Sequence, residues 1–218
     1  MEKLHTINIL VHVFAGIIAL VGGFVAIGTR KGGRSHVKAG RLFLRIISLV
    51  ILTGLLGVFV FQRNTFLLVI TLLSGYNAYS GLRTLQLRGS KPGVKDYLIP
   101  VIVLASGIYY LYYISSIGMF WQPSVTYSTL GALAFVTLYD LAKLFIPSGF
   151  LQRVFVQEHV YKMTSSLIAL VSAFTGTVLP QYKPYSQLLP TLFGLAYIVG
   201  VFIWLGSKSR PQFSFKQS

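Results

Sequence analysis

Long apolar runs alternate with short polar connections along this chain of 218 residues. Each run approaches the roughly 20 residues that a helix needs to cross about 30 Å of hydrocarbon. Backbone polar groups inside lipid must be satisfied within their own segment, so helices are the expected form. Seven spans are predicted: Ile7 to Ile27, Leu42 to Phe61, Phe66 to Leu82, Leu98 to Ile117, Val125 to Phe145, Tyr161 to Leu179 and Leu188 to Leu205.

The spans predict an all-α fold, a polytopic membrane helix bundle with seven transmembrane helices. Residues 1–207 form its single domain, and residues 208–218 form a polar tail that we expect in the cytoplasm. Hydrophobic residues make up 54% of the chain and charged residues 11%, whereas soluble domains carry about 25% charged residues. This composition leaves no room for a separate soluble catalytic domain.

Charge and cysteine content narrow the function further. The formal net charge is +15, but the basic residues lie between the apolar runs, where they act as orientation signals, so we expect no nucleic-acid partner. The chain has no cysteine, which excludes disulfides, iron–sulfur clusters and thiolate metal sites. No phosphate-loop, nucleophile-elbow or HExxH motif is present. The sequence therefore leaves open whether the protein is an enzyme.

The distribution of Lys and Arg predicts the orientation. Of the nineteen, only Lys3, Arg63 and Lys183 fall on one side of the seven-span arrangement, which leaves sixteen on the other. Positively charged connections are retained in the cytoplasm. We therefore expect an N-terminus outside, a C-terminus inside, and insertion in the inner (cytoplasmic) membrane of a bacterial cell.

The densest basic stretch runs from Thr29 to Arg45. It predicts cytoplasmic retention together with contacts to anionic lipid headgroups. A second interpretation is an anion-holding turn of backbone N–H groups at residues 31–35. The residues expected to contact anionic lipid are Arg30, Lys31, Arg34, Lys38 and Arg41.

Small residues at helical spacing in the first span predict close helix packing in lipid. His12 shares their stripe, and we expect it to face the interior of the bundle. Asn77, in the third span, is a second predicted interior polar residue. The small residues of this stripe are Ala15, Ala19, Gly22, Gly23 and Ala26.

Asp140 is the one carboxylate that lies inside an apolar span. Ionisable groups at membrane depth are costly and need an explanation. One interpretation is a structural ion pair with Lys143 or Arg45. The other is a group that accepts a proton or binds a cation.

A histidine pocket is the second candidate site. The predicted topology brings His36, His159 and Asp140 to the same side of the membrane, and Met163 shares a helix face with His159. Metal ligation by His36, Asp140 and His159 is one hypothesis. Haem bound by His36 with His159, or by His159 with Met163, is another. The cofactor would then be haem or a transition metal, and the alternative is that each histidine only makes hydrogen bonds.

Three segments of the chain resemble a bacterial family of predicted membrane proteins known as domain of unknown function 2306. They are HVFAGIIALVGG at His12, KGGRSHVKAGRLF with His36 and Gly40, and EHVYKMTSSLIALVSAF with His159 and Met163. The resemblance implies a multi-helix fold and draws attention to the three histidines, and it implies no activity.

Three functions therefore stay open at this point. The first is redox or assembly work by a haem or metal in the cytoplasmic-side pocket. The second is a small transporter or permease in which Asp140 titrates. The third is a structural subunit of a membrane complex, which would require membrane protein partners.

Overall fold

The computed structural model describes residues 1–62, 66–118 and 123–207. These residues form seven α-helices and one short 3-10 turn at Pro180–Tyr182, with no strand among them. The predicted tail and Arg63 lie outside the described residues. The helices are α1 (Glu2–Gly28), α2 (Arg34–Phe59), α3 (Phe66–Leu87), α4 (Val94–Ile117), α5 (Pro123–Ala142), α6 (Ser148–Val178) and α7 (Tyr185–Ser207).

The all-α prediction is confirmed. Five helices, α1, α2, α4, α5 and α7, are long and apolar enough to cross a membrane, as expected of a multi-pass membrane protein. Most helices begin before the predicted spans, above all α6, which begins at Ser148 and not near Tyr161, whereas α5 ends at Ala142, before the predicted Phe145. The 31 residues of α6 measure about 46 Å at 1.5 Å per residue. A search for apolar runs misses the polar first turns of such a helix.

The other two helices, α3 and α6, are less apolar because they carry polar side chains toward each other. Their packed surfaces form what we call the α3–α6 seam. Buried polar residues on the α3 side are Ser74, Asn77, Ser80 and Thr84, and those on the α6 side are Glu158, Lys162 and Ser166. These polar side chains are thus shielded from the bundle surface.

Small residues hold α1 against its neighbours. Ala15, Ala19, Gly22 and Gly23 are buried. A Cβ placed on Gly22 would lie 3.5 Å from the backbone nitrogen of Phe43 in α2, so the two backbones pass close to each other. This is the packing that small residues permit in lipid.

The connections at 29–33, 88–93 and 143–147 gather at one end of the bundle, which we call the basic end. Gly89 adopts φ +81° and its backbone lies directly against Gln152 of α6, which brings the α3–α4 connection onto the start of α6. At the opposite end, the beginnings of α3 and α5 meet the end of α4 in an apolar cluster. Its members are Val69, Tyr110, Ile114, Val125 and Leu130.

Candidate functional site

Four charged side chains meet in the interior near the basic end. Lys162 Nζ lies 2.6 Å from Asp140 Oδ1 and 2.6 Å from Glu158 Oε1. Lys143 Nζ lies 2.7 Å from Asp140 Oδ1 and also pairs with Glu158. Each lysine therefore contacts both carboxylates, and the group has no net charge. We call these four residues the charge cluster.

The cluster is shielded from solvent, and neutral donors complete it. The exposed fraction is 1% for Lys162 and 8% or less for the other three residues. Tyr76 donates its hydroxyl to Asp140 Oδ2 at 2.5 Å, and Thr84 donates to Glu158 Oε1 at 2.7 Å. Because both donors belong to α3, the cluster ties three helices, α3, α5 and α6, together.

Local sequence explains how the cluster forms. Asp140 and Lys143 are three residues apart at the end of α5, and Glu158 and Lys162 are four residues apart in α6, so each pair shares one helix face. Packing α5 against α6 then joins the two pairs. Isolated charges are very costly in a low-dielectric interior, and mutual pairing with additional hydrogen bonds is the condition under which such groups persist.

The ion-pair interpretation of Asp140 agrees with this geometry for Lys143 but not for Arg45, which is exposed in α2. The four-residue spacing of Glu158 and Lys162 predicts a helix-stabilising pair on a different face of α6 from His159 and Met163, whereas the structure places this pair against Asp140 and Lys143. The pair is buried, and it supplies half of the cluster. The sequence does carry a signal for this, because two of its only four carboxylates each have a lysine one turn away.

His36 and His159 are both held by backbone carbonyls. His36 Nδ1 bonds to Ala26 O at 2.9 Å, and His159 Nδ1 bonds to Gly81 O at 2.9 Å. A carbonyl only accepts, so each ring carries its proton on Nδ1. Met163 packs nearby, since a Cβ on Gly81 would lie 3.0 Å from its Sδ.

These residues do not form the predicted metal site. Within the described ranges, no three His, Asp or Glu side chains come together as metal ligands. Asp140 is instead committed to two lysines and Tyr76. His159 and Met163 lie one turn apart on the same face of α6, so they cannot occupy opposite faces of one haem. The pocket geometry therefore does not support a metal or haem function.

His12 lies beside a second candidate feature, a cavity of about 420 Å³ near the end of the bundle opposite the basic end. His12 Nδ1 and Thr53 Oγ1 are 2.8 Å apart, and Asn8 donates to the Thr53 carbonyl at 3.1 Å. The walls are mostly apolar, and among the described residues no Asp, Glu, Lys or Arg lines the cavity. The polar lining residues are His5, Asn8, His12, Thr53, Thr71 and Ser74.

The α3–α6 seam connects this cavity to the charge cluster. Ser74, which lines the cavity, exchanges hydrogen bonds with Ser166: each hydroxyl donates to the other residue's carbonyl, at 3.1 Å and 2.9 Å. Asn77 follows one turn later and is 1% exposed. Its Nδ2 donates to Leu73 O, while its Oδ1 has no hydrogen-bond partner among the described residues. Beyond it lies the cluster.

Little space remains between the charge cluster and the basic end of the bundle. A cavity of about 20 Å³ borders Tyr76, Ser80, Asp140 and Lys162, which is room for about one water molecule. Outside it, Arg83 bridges α3 and α4 by donating to both carboxylate oxygens of Asp96, at 2.7 Å and 3.1 Å. The structure thus has a cavity of about 420 Å³ at one end of the seam and a closely packed ionic contact at the other.

The residues predicted to contact anionic lipid lie at the basic end or just beyond it on α2. Four of them, Arg30, Arg34, Lys38 and Arg41, are exposed, and Lys31 is half-buried. Lys31 donates to the carbonyl of Ile27. None of the five pairs with a carboxylate in the described part of the chain. No carboxylate in the described part of the chain therefore neutralises their charge.

Comparison with known proteins adds no relative. No family model, no curated protein and no solved structure matches the chain. The resemblance to domain of unknown function 2306 stays a prediction, and the functional argument rests on the geometry of the charge cluster, the seam and the cavity.

Proposed function

We propose that the protein is a small membrane transporter in which the charge cluster is the gate at the basic end. The observation that carries the proposal is the continuity of polar groups along the α3–α6 seam. Buried polar side chains lead from a cavity at one end to the ion pairs that close the other. A merely structural cluster would not need an open cavity on the same seam.

The proposal places all seven helices across the membrane, with the N-terminus outside and the basic end in the cytoplasm of a bacterial cell. The three most densely basic connections then face the cytoplasm, as positively charged loops do. In this orientation the cavity at His12 lies in the outer half of the bundle. The charge cluster closes the cytoplasmic exit.

The cavity lining indicates the class of solute. Its walls are mostly apolar, its polar groups are hydroxyls, an amide and imidazoles, and none of the described residues that line it is permanently charged. Such a site suits a small uncharged molecule with a few hydrogen-bonding groups, since an ion would lose its hydration without a compensating charge. The unpaired Oδ1 of Asn77 offers the next acceptor along the path.

Opening requires the ion pairs to separate. Protonation of Asp140 would leave its two lysines with one carboxylate between them, and this weakens the contact between α5 and α6. The transporter therefore couples solute passage to a proton at Asp140. This assignment gives Asp140 a role beyond that of a structural ion pair.

The absence of native cysteine makes accessibility labelling the test. Gly57→Cys places a thiol in the cavity lining, where a Cβ meets no atom within 4 Å, and Ser80→Cys places one beside the cluster. We expect a membrane-impermeant maleimide to label Gly57→Cys only from outside. Ser80→Cys should react slowly from either side until Asp140→Asn is added, when labelling from the cytoplasmic side rises about tenfold, the effect of 1.4 kcal/mol.

Glu2→Gln is the control, because it neutralises an exposed carboxylate that belongs neither to the cluster nor to the cavity beside Ser80. It should leave the labelling of Ser80→Cys unchanged. The gate assignment is wrong if Asp140→Asn also leaves Ser80→Cys protected. The transport pathway is wrong if Gly57→Cys reacts from the cytoplasmic side.

A further inference from the structure

A further cavity, of about 480 Å³, forms a groove on the bundle surface between α1, α6 and α7. Its lining is almost wholly apolar and includes Phe24, Leu189 and Phe193, of which Phe193 is 73% exposed. Along α6 the lining extends from Thr164 to Leu179, roughly 22 Å at 1.5 Å per residue. One leaflet contributes about 15 Å of hydrocarbon, so the groove is long enough for a lipid chain.

Cations stand at the end of the groove that faces the basic end. Lys31 Nζ lies 5.9 Å from the ring centroid of Tyr197 and donates to the carbonyl of Ile27, and both of these residues line the groove. Arg30 and Arg34 are exposed and lie one and three residues from Lys31 along the chain. No carboxylate among the described residues pairs with any of the three.

We propose that this groove binds one anionic phospholipid. One of its acyl chains lies against α6 and α7, and its phosphate lies beside Lys31, Arg30 and Arg34. Like a phospholipid, the groove has a long apolar part that ends in one charged region. The charge of this region is positive, opposite in sign to that of the phosphate. The site shares no residue with the cavity at His12 or with the charge cluster, so it stands apart from the transport proposal.

Charge also argues against a second copy of the chain as the occupant. Each chain carries a formal net charge of +15, and a symmetric contact over these grooves would bring two sets of unpaired cations together. Like charges at close range oppose such a contact, whereas an anionic headgroup neutralises it.

The test is native mass spectrometry of the full chain in detergent, titrated with phosphatidylglycerol or with phosphatidylcholine of the same acyl chains. We expect retention of one phosphatidylglycerol and little phosphatidylcholine. Lys31→Gln should weaken phosphatidylglycerol retention about fivefold, the effect expected for one basic residue near an anionic headgroup. Lys91→Gln, an exposed lysine at the basic end outside the groove, is the matched control and should change little.

A second pair of variants tests the groove itself. Leu189→Trp fills it, whereas Leu192→Trp adds the same bulk to α7 at a position that is 62% exposed and outside the groove lining. Only Leu189→Trp should displace the lipid. Equal retention of the two lipids, equal effects within either pair of variants, or a dimer that forms in place of the lipid complex would each overturn the proposal.

Discussion

Lys162 Nζ lies 2.6 Å from Asp140 Oδ1 in a part of the bundle where the lysine is 1% exposed. The two residues come from different helices, so their contact fixes how α5 sits on α6. Lys143 and Glu158 complete a set of two positive and two negative charges. Removal of one charge leaves the rest unbalanced in a low-dielectric interior, and this makes the cluster sensitive to single substitutions.

The first prediction concerns that balance. Lys162→Met should lower the free energy of unfolding by about 3–5 kcal/mol, because it leaves an uncompensated buried carboxylate. Combining it with Asp140→Asn should recover most of the loss, since Lys143 and Glu158 remain as a neutral pair. Unfolding of the purified protein in a mixed detergent titration measures both. Lys91→Met, at an exposed position, should stay within about 0.5 kcal/mol of the wild type.

A double variant that is less stable than Lys162→Met would contradict this account. It would mean that each charge contributes independently, and that balance between the four is not what the interior requires.

The second prediction concerns the hydroxyl of Tyr76. Tyr76→Phe removes the donor that lies 2.5 Å from Asp140 Oδ2, and a hydrogen bond to a charged group contributes about 1.5–3 kcal/mol. We expect a stability loss in that range, measured by the same titration. Tyr112→Phe, at a residue that is 72% exposed, is the control and should have almost no effect.

The same loss should shrink when Asp140→Asn is already present, because the acceptor then carries no charge. If Tyr76→Phe costs as much in that background as in the wild type, its effect comes from packing and not from the bond to Asp140.

The sequence was sufficient for the elements of this fold and only partly sufficient for its site. Apolar runs locate the helices because the bilayer sets their length and polarity. The buried stripe of α1 follows from its small residues. Lys143 beside Asp140 follows from helical spacing. These are all local consequences of the sequence.

Contacts between distant helices were not predictable in the same way. Helical spacing pairs Glu158 with Lys162 but does not say which face of α6 meets α5. The spacing therefore does not predict that this pair contacts Asp140 and Lys143. Tyr76 lies 64 residues from Asp140, and no local pattern joins them. The expected grouping of His36, His159 and Asp140 was based on a shared side of the membrane, and a shared depth does not bring side chains within ligand distance.

The third prediction concerns the close approach of α1 to the bundle. A Cβ on Gly23 would lie 2.6 Å from Leu167 Cδ1 and 3.2 Å from Phe43 Cδ2. Gly23→Leu should therefore overpack this contact and reduce stability by about 1–3 kcal/mol. Gly16→Leu, in the same helix but with no atom within 4 Å of its Cβ, is the matched control. An equal loss in both variants would show that helix α1 responds to leucine itself and not to crowding.

The last prediction concerns α3 and α6, which were predicted as spans but are not among the five helices long and apolar enough to cross a membrane. Single cysteines at three exposed positions test whether they cross: Ser35→Cys in α2, Ser90→Cys after α3, and Gln181→Cys after α6. We expect an impermeant maleimide added to intact cells to label only Gln181→Cys, and all three after lysis.

A separate labelling result would contradict the crossing of each of the two helices. Two helices, α2 and α3, separate Ser35 from Ser90, so opposite labelling of these positions would mean that α3 does not cross. Three helices, α4 to α6, separate Ser90 from Gln181, so labelling from the same side would mean that α6 does not cross. Either result would place charged residues of the seam at the membrane surface. Water would solvate them there, so the lysines and carboxylates would not need to pair with each other. The basis for a gate at Asp140 would then be lost.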